Sequence, residues 1–130
     1  MENILATVAL AESDVWAVGG ACILMCMDIL IGFAGAVINK DFQSTVMRVG
    51  LGHKLMEVCA IALAIVLQVL AEHITEIPSF PSTMFVCAYL IVMEVGSIWE
   101  NIVKVNPELG SGAINDAIDQ IVNGGDKDES

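Results

Sequence analysis

Three carboxylates stand where an acid is expensive. Asp28 lies within the apolar run from Val15 to Ile38, Glu57 within Leu55 to Ala71, and Glu94 within Thr83 to Trp99. An acid surrounded by hydrocarbon either holds a proton or turns towards protein groups or water. The chemistry open to such groups is proton or ion passage, or polar contact between helices. Asp28 shares a helical face with Gly32, Gly35 and Ala36, and the Gly32-x-x-x-Ala36 spacing permits close approach of helix backbones. Glu94, Ser97 and Asn101 follow at offsets of three and seven, a polar stripe on an apolar helix, with Glu100 beside it. Glu57 and Gln68, about three turns apart, extend that stripe onto the second run. Asp28, Gly32, Ala36, Glu57, Glu94, Ser97, Glu100 and Asn101 are therefore the candidates for oligomer contact or for lining a membrane path. The alternative is that they hydrogen-bond within a compact three-helix protomer.

Other chemistry has little support. Cys22, Cys26, Cys59 and Cys87 lie inside apolar runs without a CxxC pair or a nearby histidine, as small hydrophobes of a membrane core. His53 and His73 fall at the ends of apolar runs and form no spaced metal set. There is no GxSxG, HExxH, P-loop or strand-borne GxGxxG. Catalysis, a cofactor and a bound metal are not expected.

The elements that carry the acids follow from composition. The 130 residues are 56% hydrophobic and only 16% charged, with a mean hydropathy of +0.75. Soluble domains hold about 45–50% apolar and about 25% charged residues, so the apolar excess here faces lipid. The net charge of -11 repels phosphate backbones and argues against nucleic-acid binding. Residues 15–38, 55–71 and 83–99 read as three transmembrane helices with short loops, an all-α membrane domain over 15–105. An acidic arm, residues 1–14, precedes it. Residues 106–130 form a tail with a short amphipathic helix (Ile114, Ala117, Ile118, Ile121, Val122) and a disordered GGDKDES end. Both termini, Asp14 included, read as solvated. A cleaved signal peptide is not expected, because the residues before the first run are acidic.

Lys and Arg near span ends are retained on the cytoplasmic side. Lys40, Arg48 and Lys54 occupy the first connection, which predicts a cytoplasmic basic loop and an N-out/C-in topology. Phe42, Val46 and Val49 in that loop fit a short interfacial helix or an ordinary polar loop.

Insertion arithmetic gives the acids weight. Each Leu, Ile, Phe or Val contributes about 0.3–0.6 kcal/mol, and a central Asp costs about 2.5–3.5 kcal/mol. Ten such residues in the first run therefore only modestly exceed the penalty of Asp28, and seven in the third face Glu94. The spans are marginal alone, so association of helices follows.

The string Asp28-Ile-Leu-Ile-Gly32, followed by Ala36, Phe42-Gln-Ser44, Gly50 and Lys54, then by Glu94-Val-Gly-Ser97-Ile-Trp-Glu100-Asn101, resembles the bacteriophage holin family that includes the clostridial toxin-secretion holins. The similarity covers about residues 25–110, and E-x-x-S-I-x-E-N is its most specific piece. His53, where the family often has a basic residue, and Glu72-His73, where an Asp is common, depart from it. The resemblance implies a phage-encoded protein of the host cytoplasmic membrane that self-associates and forms lesions, through which an endolysin or a toxin leaves. Two rivals remain: a small ion channel or transporter, although no internal repeat is present, and an anti-holin that joins inactive complexes.

Overall fold

The computed structural model describes residues 10–124. Its elements are α1 (Glu12–Ile38), α2 (Ser44–His73), α3 (Ser82–Val105), a 3-10 turn (Pro107–Gly110) and α4 (Ala113–Asn123), with no strand among the described residues. The expectations for the rest of the acidic arm and for the GGDKDES end lie outside that range, Gly124 excepted.

Helix boundaries follow local chemistry. Glu12 and Asp14 sit in the first turn of α1, where carboxylates complement the free N–H groups. At its other end Lys40 takes a left-handed conformation (φ 53°), Lys40 N–H bonds Val37 O at 3.3 Å, and Asp41 N–H bonds Ala36 O at 3.1 Å. These two bonds satisfy carbonyls that the helix end would orphan, in the Schellman pattern usually closed by glycine. Pro78 and Pro81 stop the chain from continuing α2, and α3 begins directly after Pro81.

The membrane domain is an up-down-up bundle. α1, α2 and α3 are each long and apolar enough to cross a membrane. They exceed the predicted spans, α2 most of all. Its first eleven residues, Ser44 to Lys54, were expected in the loop, yet they continue the helix of the second span. Phe42 stays outside it, so Phe42, Val46 and Val49 do not form a separate interfacial helix, and the connection shrinks to residues 39–43.

A thin core of small and medium side chains joins the helices: Ala17, Ala21 and Met25 of α1, Ile61 of α2, Cys87 and Leu90 of α3, with Ala64 of α2 also buried. The outward faces carry exposed Ile23, Leu30, Leu63, Val66, Phe85 and Tyr89, as expected of helices whose solvent is hydrocarbon. Cys22, Cys26 and Cys59 share that outer surface and Cys87 is buried; all four are free thiols.

α1 and α3 run parallel and pack closely, whereas α1 and α2 touch little along their length. Gly35 shows the closeness: a β-carbon there would meet Val105 Cγ2 at 3.4 Å. α4 lies across α3, where Trp99 Nε1 donates to Asn115 Oδ1 at 2.9 Å and Val122 rests on Gly96. Ile118 and Val122 turn partly inward, leaving Ile114 and Ile121 exposed.

Candidate functional site: a buried ion cluster

A 3-4 spacing selects one inward stripe on each membrane helix. On α1 it runs Asp14, Ala17, Ala21, Met25, Asp28, Gly32; on α2 it is Lys54, Glu57, Ile61, Ala64, Gln68; on α3 it is Thr83, Cys87, Leu90, Glu94, Ser97, Asn101. Each stripe is apolar in the middle and polar at both ends. Because α2 runs against α1 and α3, Lys54 and Glu57 come level with Asp28 and Glu94, while Gln68 comes level with Asp14 and Thr83.

The first polar level is ionic. Lys54 Nζ lies 3.0 Å from Asp28 Oδ2 and 3.5 Å from Glu57 Oε2, and it donates to Glu94 Oε1. Asp28 Oδ1 accepts from Ser97 Oγ at 2.8 Å and from Asn101 Nδ2 at 3.1 Å. Asp28 thus has three donors around it, from two other helices. The side chains of Lys54, Asp28 and Glu57 are 13%, 11% and 16% exposed and that of Glu94 is 1%. Taking an ion out of water costs several kcal/mol even after relaxation, so only close pairing of this kind makes the arrangement tenable. The balance is nevertheless uneven. Three carboxylates share one ammonium, and Glu94 Oε2 is buried without a hydrogen-bond partner.

The second level holds one acid. Asp14 Oδ2 accepts from Gln68 Nε2 at 2.7 Å, Thr83 N–H donates to Gln68 Oε1 at 3.1 Å, and Ser82 Oγ donates to Ala64 O at 2.7 Å. Thr83 Oγ1 is buried and unpartnered. Gln68, read from the sequence as an extension of the Glu57 and Glu94 stripe, belongs to this separate site. It lies fourteen residues from Lys54 along α2, about 21 Å away. Asp14 is 3% exposed, contrary to the solvated position expected of it.

Asp28, Glu57, Glu94, Ser97 and Asn101 are therefore brought together, and Gly32 faces the Asn101 amide, 3.6 Å from where a β-carbon would stand. Within one protomer these groups meet one another. Ala36 is half-buried beside a groove between α1 and α2, and Glu100 is exposed, outside the cluster. Of the basic residues read as a loop, Lys40 and Arg48 are exposed, but Lys54 is ten residues into α2 with its ammonium among the acids. The 3-4 register from Lys54 through Glu57, Ile61, Ala64 and Gln68 was the available signal. A place in the first connection hides that register, because it leaves Lys54 outside the second span.

The arrangement has no activated nucleophile. Among the described residues no group of three or more His, Cys, Asp or Glu is placed to hold a metal ion. Its capacity is to hold charge inside an apolar bundle.

No curated protein and no solved structure matches the chain. The model of the Bacteriophage holin family matches residues 7–123, which includes all three membrane helices, both polar levels and α4. With most of its length so matched, the chain belongs to the bacteriophage holin family.

Proposed function

We propose that the protein is a holin of the bacterial cytoplasmic membrane, N-out/C-in, which self-associates and opens lesions that release an endolysin, or an exported toxin, from the cytoplasm. The observation that carries this reading is the acid-rich cluster of Asp28, Lys54, Glu57 and Glu94, buried in a bundle whose α1 and α2 touch little. In a dispersed protomer the acids are held by Lys54, Ser97 and Asn101, and the outer surface is apolar. Parting α2 from α1 and α3 removes Lys54 from Asp28 and Glu94 and leaves carboxylates that only water or another protomer can satisfy. Three helices enclose no wide path, so the wetted faces of many copies must line a lesion together. The activity is collective permeabilisation, not catalysis.

The same charges couple the change to voltage. A charge moved across the membrane field is worth about 2.3 kcal/mol per 100 mV, so a shift of the cluster would respond to depolarisation. The test is inducible expression in a bacterium with and without a cytoplasmic reporter endolysin. Abrupt, endolysin-dependent clearing of the culture is expected. Ion leakage with the endolysin retained would replace this function with that of a channel, and delayed lysis without killing would make the protein an anti-holin. Asp28→Asn and Glu94→Gln should each shift the time of lysis at equal expression; unchanged timing in both would remove the cluster from the mechanism.

A further inference from the structure

The seam between α1 and α2 opens into two adjoining cavities of about 750 and 670 Å³ that share Ile29, Arg48, Leu51 and Lys54. Their walls are apolar, with Phe33 and Met47 in the larger and Cys26 and Val58 in the smaller. Both walls are helices long and apolar enough to cross a membrane, so hydrocarbon is the medium beside the groove. Its mouth lies where α1 ends and α2 begins, and there the charge changes sign. In a chain of net charge -11, Arg48 lines both cavities and Lys40 stands on the adjoining turn. Both are exposed, and among the described residues neither makes an ion pair, since every ion pair found belongs to Lys54. Two acids line the larger cavity: Asp28, paired within the ion cluster, and Asp41, whose Oδ1 accepts from Gln43 Nε2 at 3.1 Å.

An apolar trough that opens on two free cations fits an amphiphile of opposite charge. We propose that the α1–α2 groove binds an anionic phospholipid, one acyl chain lying against Ile29, Phe33, Met47 and Leu51 and the phosphate held by Arg48 and Lys40. Arg offers a planar fork of N–H donors that matches phosphate oxygens, and its aliphatic stem can lie along the apolar wall while the head reaches the interface. The lipid fills a seam that the two helices do not close themselves, next to the wall that carries Asp28 and Lys54. Bound lipid therefore holds the spacing of α1 and α2. This assignment rests on the membrane-embedded protein proposed above but not on its capacity to make lesions.

The full-length protein in mild detergent, examined by native mass spectrometry during titration with phosphatidylglycerol or phosphatidylcholine, tests it. Phosphatidylglycerol should be retained in preference. A basic residue near an anionic surface is worth about fivefold in affinity, so Arg48→Gln should weaken retention by about that factor and Lys40→Gln/Arg48→Gln by about thirtyfold. Lys104→Gln, an exposed basic residue on α3 outside the groove, should leave it unchanged. A second variant, Leu51→Trp, should fill the groove and lower lipid retention while both cations remain. Equal retention of the two lipids, full retention by the double variant, or lipid-independent cross-linking between copies through a cysteine placed at Phe33, with Cys22, Cys26, Cys59 and Cys87 replaced by Ala, would each overturn the proposal, the last by seating a second copy in the groove. Because the assay reads bound lipid, a protein that retains phosphatidylglycerol but never lyses a cell would sink the lesion reading and leave this site standing.

Discussion

The two polar levels of the bundle answer one problem in different ways. At one end Asp28 of α1, Glu94 of α3 and Glu57 of α2 surround the single ammonium of Lys54 on α2, beside a groove between weakly packed helices. At the other, Asp14 is met by the Gln68 amide, which also accepts from the backbone of α3. Coulombic attraction is strong but depends on one residue, Lys54, and on the spacing of α2 from its neighbours. The amide bridge is weaker and relies on neutral donors. The ionic level is therefore suited to change state, and the amide level to hold the helices in register.

The comparison breaks first at Lys54. Lys54→Met should be the most destabilising change, by about 3–5 kcal/mol, because it leaves three buried carboxylates without their cation. Unfolding of the purified protein by a graded denaturing detergent, followed by helical circular dichroism, measures it. Adding Asp28→Asn and Glu94→Gln to that variant should recover part of the loss, whereas further loss would show that pairing is not what Lys54 supplies. Asp28→Asn alone should cost about 1–3 kcal/mol, since the amide oxygen still accepts from Ser97 while the ion pair is gone.

At the opposite level, Gln68→Leu should cost about 1–2 kcal/mol by stranding Asp14 and the Thr83 N–H, and should lower accumulation of the protein without changing when lysis begins. A change in lysis timing as large as that of Asp28→Asn would erase the distinction between the two levels. Ser82→Ala removes one hydrogen bond, to Ala64 O, and should cost about 0.5–1.5 kcal/mol in the same unfolding assay. Glu100→Gln, on an exposed position outside both levels, should stay within about 0.5 kcal/mol of the parent protein.

Much of this was legible in the residues. Apolar runs of sufficient length specify three helices whatever their neighbours, because a backbone in hydrocarbon must satisfy its own hydrogen bonds. The expense of Asp28 and Glu94 also marked them as groups in need of partners. The partners were less legible. Helical spacing groups Ser97 and Asn101 with Glu94, whereas their bonds to Asp28 depend on α3 lying parallel to α1 at one particular register. Asp14 was hidden by its place before the apolar run, since nothing local distinguishes a solvated first-turn acid from one that reaches Gln68 on another helix.

What the chain alone determined is therefore a matter of solvent: enough apolar surface for three crossings, and acids that such surroundings do not tolerate unaccompanied. What only the tertiary structure decided is which ends of the three stripes meet. Lys54 could have remained a loop cation at the membrane face. Because α2 begins at Ser44 and runs against its neighbours, the same residue is carried to the level of Asp28 and Glu94. Coulombic energy depends on distance in space rather than separation along the chain, and Lys54 and Glu94 stand forty residues apart until the bundle closes.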